Sequence, residues 1–209
     1  MKIKRNTVLK PIVFLACLAP FIGLIYAGFT AHLGADPVMR VQHATGDWTL
    51  KLLLVSLAIT PLRRITKVNW LIQYRRMIGL FAFFYGCLHL LTYAVLDQNL
   101  NPARIAHDIG KRPFVTVGFA AWALLVPLAI TSTQASIRRL GKKWQTLHRL
   151  VYFAAALGVL HFYWLVKKDV SEPLAYAGVL TVLLGYRAVL YAMERSRKAQ
   201  QPAKQAVSA

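Results

Sequence analysis

Carboxylates are the scarcest charged groups in this chain of 209 residues, with seven Asp and Glu against 26 Lys and Arg. None of the seven lies well inside a long apolar run. Acids buried in a bilayer are the usual marks of proton-coupled transport, so their absence argues against a transporter. Cysteine is rarer still, with two residues. Cys17 and Cys87 both sit within apolar runs. Two such thiols supply neither a disulfide framework nor a metal-binding set, and they read as small buried hydrophobes. A phosphate-cradling glycine loop is also missing, so no nucleotide contact is legible from a motif.

What remains is apolar and basic. The chain is 57% hydrophobic and only 16% charged, the profile of an integral membrane protein. A net charge of +19 in a soluble protein would suggest nucleic acid. Here the basic residues form short clusters between apolar runs, which is the pattern of topology determinants, and no nucleic acid partner is expected.

A helix needs about 20 mainly apolar residues to cross about 30 Å of hydrocarbon. Six segments approach this, at 8–30, 46–62, 74–96, 113–132, 148–167 and 173–193. The first opens like a signal peptide, but its apolar stretch from Val8 to Phe29 is too long for one and reads as a retained anchor. Because a bilayer forces every backbone polar group to pair internally, the expected fold is all-α, an integral membrane bundle of six transmembrane helices. Basic clusters at the N-terminus, after the second span, after the fourth and after the sixth all fall on one side. That side should be cytoplasmic, with both termini on it. The expected division is a cytoplasmic N-terminus at 1–7, a membrane domain at 8–194 and a disordered cytoplasmic tail at 195–209, polar and poor in aromatics.

Six histidines are present, and depth sorts them. His32, His43 and His107 fall in outer loops. His89 lies in the third expected span and His161 in the fifth, both roughly 20 Å from the cytoplasmic entry at about 1.5 Å per residue. Two imidazoles at matching depth on different helices are what an iron porphyrin held from both faces requires. Zinc competes poorly, because it wants further ligands that are not evident. His148 marks the inner rim, where it serves either as an ordinary interfacial residue or as one ligand of a second, inner haem. The place expected for that haem's other histidine holds Arg75 and Arg76 instead. Haem propionates want cations at the membrane edges, and Arg75, Arg76 and Arg149 supply them inside, with Lys167 and Lys168 outside; topology alone also accounts for these charges. Arg187, embedded in LLGYRAVLY, either snorkels to the interface or contacts a propionate or a flavin phosphate.

Four segments in order, GDWTLKLLLVSLAITPLRR, YRRMIGLFAFFYGCLHLLTY, KRPFVTVGFAAWALLVPLAITS and KKWQTLHRLVYFAAALGVLHFYWLVK, resemble the haem-binding membrane subunits of bacterial periplasmic methionine-sulfoxide reductase systems. The likeness runs from Val8 to about Arg195, within the wider group of ferric-reductase-like transmembrane domains shared with NADPH oxidases. It implies a b-type haem protein of the bacterial inner membrane, carrying one or two haems and flavin mononucleotide (FMN), with iron ligands at His89, His148 and His161. It further implies electrons taken from a cytoplasmic flavin reductase or quinol and passed to a periplasmic molybdopterin-containing catalytic subunit that reduces methionine sulfoxide in oxidised proteins. The oxidases have histidine where Arg75 and Arg76 stand here, which leaves the number of haems open. Two other readings compete: a membrane ferric or oxygen reductase acting alone, and a non-redox transporter or scaffold, which would be colourless.

Overall fold

The computed structural model describes the backbone of residues 5–207 and the side chains of residues 8–196. Among the described residues the regular structure is helical, with no strand. The elements are α1 (Arg5–Phe29), α2 (Pro37–Thr66), α3 (Ile72–Thr92), α4 (Pro102–Lys111), α5 (Pro113–Ile130), α6 (Gln134–Leu140), α7 (Lys142–Leu147), α8 (Leu150–Leu165) and α9 (Ser171–Val207). A 3-10 turn at Asn69–Leu71 precedes α3, and a π turn at Tyr93–Asp97 ends it.

Local chemistry explains the boundaries. Asp36 caps α2 by accepting from the Met39 amide at 2.9 Å, and Pro37 occupies the first helical position, where its missing N–H costs nothing. Asn101 and Pro102 repeat the device at α4, with Asn101 accepting from the Ala103 and Arg104 amides. Between α6 and α7, Gly141 takes φ 51° and ψ −122°, a conformation that a side chain would oppose.

Two antiparallel hairpins, α2–α3 and α5–α8, form the centre, with α9 against α2 and α8 and α1 against α3. Their shared core includes Leu50, Leu53, Leu57, Tyr85, Ala82, Ala154 and Ala155, all buried. Lipid tails are as apolar as leucine, so hydrocarbon offers no hydrophobic drive between helices, and close approach at small residues matters more. Ala82 and Ala155, both fully buried, allow that approach. On α1 and α9 the apolar residues Leu15, Ile22, Val182 and Val189 are instead exposed, as suits faces solvated by lipid.

Tyr85 locks α1 to this centre. Its hydroxyl accepts from the Phe21 amide at 3.0 Å and donates to the Cys17 carbonyl at 2.9 Å. Those two groups would otherwise form one rung of the α1 ladder. Pro20 disturbs the helix there, and the phenol enters the opened rung. Each backbone group left unpaired in hydrocarbon costs several kcal/mol, so the contact serves both elements.

The all-helical expectation holds. Of the six expected spans, four segments are long and apolar enough to cross a bilayer: Val8–Phe29, Asn69–Asp97, Pro113–Ile130 and Ser171–Ser196. α2 falls short because Asp47 and Lys51, paired at 2.6 Å, dilute its apolar run. α8 has 16 residues, about 24 Å of helix. At the C-terminal end α9 is continuous as helix to Val207.

Candidate functional site

His89 lies in the last turn of α3, just before the π turn. His161 lies in the last two turns of α8. The fold brings them together, with ring centroids 6.0 Å apart and ring planes at 82°. Two imidazoles whose Nε2 atoms each stand about 2 Å from one metal have ring centres roughly 6 Å apart, so the observed spacing fits an ion gripped from both sides.

Each ring is anchored through its other nitrogen. His89 Nδ1–H donates to the Gln42 carbonyl at 2.9 Å, and His161 Nδ1–H donates to the Phe114 carbonyl at 2.7 Å. A carbonyl only accepts, so Nδ1 carries the proton and Nε2 keeps its lone pair. That is the arrangement metal-ligating histidines ordinarily show, with the second bond setting tautomer and ring orientation. Both carbonyls belong to helix starts, and a glycine stands one turn beyond each. A Cβ at Gly46 would lie 3.0 Å from His89 Nδ1, and one at Gly118 would lie 2.6 Å from His161 Nδ1. Glycine at these two positions is what lets an imidazole reach a carbonyl on the neighbouring helix.

The two half-sites are copies of one module. In both, the accepting carbonyl is 47 residues before its histidine, one on α2 for α3 and one on α5 for α8. Sequence traces of the repeat survive as FAFFYGCLH and FAAALGVLH, ending at His89 and His161, and as VSLAIT and VPLAIT in α2 and α5. Among the described residues no three His, Cys, Asp or Glu side chains cluster to hold a bare ion. Two imidazoles in apolar surroundings are a donor set that would suit a haem better than a four-ligand zinc site.

His148 is placed differently. It occupies the turn between α7 and α8, stacked on Trp144 with centroids 3.9 Å apart. The Thr131 hydroxyl donates to the Pro127 carbonyl at 2.6 Å, so at 3.1 Å it accepts from His148 Nε2. Among the described residues the ring stacked on His148 is Trp144, not a second imidazole, and the charge beside it is Arg75. Because His148 stands outside α8, helical phase from His161 does not govern where its ring points. Arg76 is exposed and lines a groove of about 600 Å³ between α1 and α3 with Lys10, Phe14 and Phe84. Arg149 is exposed at the start of α8, and Lys167 and Lys168 are exposed just beyond its end.

The family described as the ferric reductase like transmembrane component matches residues 45–159, from the turn that holds Gly46 to just short of His161. A relative from Ralstonia nicotianae is 53% identical over 178 residues, covering 84% of this chain and 82% of its own. One from Xanthomonas oryzae pv. oryzae is 50% identical over 202 residues, covering 94% and 93%, and one from Bordetella pertussis is 51% identical over 181 residues, covering 86% and 88%. Each is named as the heme-binding subunit MsrQ of a protein-methionine-sulfoxide reductase. The chain belongs to the MsrQ family. It is a membrane protein of the ferric-reductase-like group.

Sequence reading of this MsrQ family member found both central histidines but missed what orients them. Gln42 and Phe114 act through backbone carbonyls, which no side-chain motif announces. Gly46 and Gly118 had a detectable signal, since aligning the two FA…G.LH segments places a glycine at the same distance before each histidine. At the other end of the bundle, Tyr152 carries no sequence signal either. It binds Arg187, whose Nη1 donates to the phenol at 2.7 Å while Nη2 donates to the Leu57 carbonyl at 2.5 Å.

Proposed function

We propose that this chain is a haem-binding, electron-transferring membrane subunit of a methionine-sulfoxide reductase system, with His89 and His161 as the axial ligands of one b-type haem. The observation that supports it most is the imidazole pair, 6.0 Å apart, with each Nδ1 committed to a carbonyl. In this reading six helices cross the bacterial inner membrane, α2 and α8 included, with both termini cytoplasmic. The imidazole pair then lies toward the periplasmic side.

The haem supplies one-electron chemistry when bound. The chain's own residues do the rest. The Gln42 and Phe114 carbonyls hold the two rings and raise the basicity of Nε2. Gly46 and Gly118 keep the approach open. Buried apolar side chains around α2, α3, α5 and α8 limit water, which tunes potential and suppresses side reactions. Electrons enter from a cytoplasmic flavin reductase or quinol and leave to a periplasmic molybdopterin-containing subunit, which carries the substrate chemistry. FMN is a further cofactor of this reading. One haem is favoured over two, because His148 already gives its Nε2 proton to Thr131 and faces an arginine.

Purified protein should be coloured, with one haem per chain and a low-spin spectrum. Replacing His161 or His89 with alanine should abolish that spectrum and electron delivery to the periplasmic subunit. Retention of the low-spin bands in both variants would sink the ligand assignment. The ferric-reductase-like family match also supports a stand-alone reductase of iron chelates. Chelate reduction at full rate without the periplasmic subunit would favour that second reading.

A further inference from the structure

Two guanidinium groups meet inside the bundle, and among the described residues no acid pairs with either. Arg187 lies within the Ser171–Ser196 segment and Arg75 within Asn69–Asp97. Both converge on Tyr152. Arg187 donates to its hydroxyl at 2.7 Å, with the guanidinium carbon 5.2 Å from the ring centre, and Arg75 lies beside the same hydroxyl and beside Arg187. The carboxylate nearest in sequence to Arg187, Glu194, is already engaged by Arg64 at 3.0 Å. Like charges this close in a poorly solvated site repel, and the bundle accepts that cost.

The donors also remain unfilled. A guanidinium has five N–H groups. Arg187 has one bond to Tyr152 and one to the Leu57 carbonyl, while its Nε is buried and has no partner. Tyr152 accepts from Arg187 and so keeps its own proton for an acceptor. Two forked cations, an orphaned N–H and a free phenol proton make a site that lacks an oxyanion.

Position separates this site from the imidazole pair. Leu57, which holds Arg187, is eleven residues along α2 from Gly46, which abuts His89. At about 1.5 Å per residue that is roughly 16 Å along the bundle, which sets the arginine pair apart from the imidazoles. Charge then selects among oxyanions. A carboxylate or a lipid phosphodiester carries one negative charge, whereas a phosphate monoester carries about 1.5 to 2 at neutral pH and matches two arginines.

We propose that Arg75, Arg187 and Tyr152 form a binding site for a phosphate monoester at the inner end of the bundle, distinct from the haem pocket. A mononucleotide such as FMN and a monoester lipid such as phosphatidic acid share this chemistry. The test uses the full chain in phosphatidylcholine nanodiscs, with FMN, riboflavin and inorganic phosphate as probes. FMN should bind at least tenfold more tightly than riboflavin and be displaced by millimolar phosphate. Arg187→Gln and Arg75→Gln should each erase that preference, Arg187→Lys should keep part of it, and the haem spectrum should persist in all three. Adding phosphatidic acid to the nanodiscs distinguishes the sources: displacement of FMN would support the site with lipid as its occupant, and undisturbed FMN would support it with the nucleotide. Equal affinity for FMN and riboflavin in the unaltered chain, or no effect of phosphate upon it, would overturn the proposal even if an arginine variant failed to fold. Loss of the haem spectrum in the histidine variants with the FMN preference intact would show the two sites to be independent.

Discussion

The α2–α3 and α5–α8 hairpins are built alike at one end and differently at the other. Toward His89 and His161 each supplies a carbonyl, a glycine and an imidazole at matching positions. Thirteen residues before each histidine the likeness ends, with Arg76 in the first hairpin and His148 in the second. The matched end can grip one ligand symmetrically. The unmatched end cannot, and there the second hairpin turns its histidine onto Thr131 and Trp144. A repeated module thus produces a paired site only where both copies keep the same chemistry.

Removing either imidazole at the matched end is the harshest way to break the comparison, and complete loss of the low-spin spectrum is expected. Next comes Gly118→Ala. Its Cβ would press on the His161 ring, 2.6 Å from Nδ1 and 2.8 Å from Cε1. Displacing the orienting bond should lower haem affinity about 10- to 100-fold, measured by haem titration of the apoprotein. Gly46→Ala should do less, because its Cβ meets the His89 ring at 3.0 Å and a shift of a few tenths of an ångström relieves it. Equal losses in the two glycine variants would show that the halves are tied more rigidly than these spacings imply.

Tyr85→Phe probes the anchoring of α1 and leaves the imidazoles untouched. The Phe21 amide and Cys17 carbonyl would lose their bridge, at a cost of about 1–3 kcal/mol, read as a lower unfolding midpoint with an unchanged haem spectrum. An unchanged midpoint would mean that the α1 rung closes on itself. The mildest expected effect is that of His148→Ala at the unmatched end, where the low-spin bands should stay in place. Their disappearance would make His148, not His89 or His161, the ligand to explain.

Helicity, membrane residence and the meeting of His89 with His161 at one level of the bundle were legible in the residues, because each follows from composition or from distance along a helix. The span count was less so. α2 and α8 look like spans in a hydropathy reading, yet the Asp47–Lys51 pair and a length of 16 residues set them apart from the other four. The arginines illustrate the same boundary. Arg75, Arg76, Arg149 and Arg187 carry equal charge on paper, and packing separates Arg75 and Arg187, which meet at Tyr152, from two exposed neighbours.

Linear pattern therefore accounts for which segments are helical and how far along its helix each imidazole lies, since both depend on spacing within a single helix. It is silent on which carbonyl orients each ring, which glycine admits it, and which two cations share a phenol. Those depend on how side chains from separate helices face one another, and that orientation exists only once the bundle has packed.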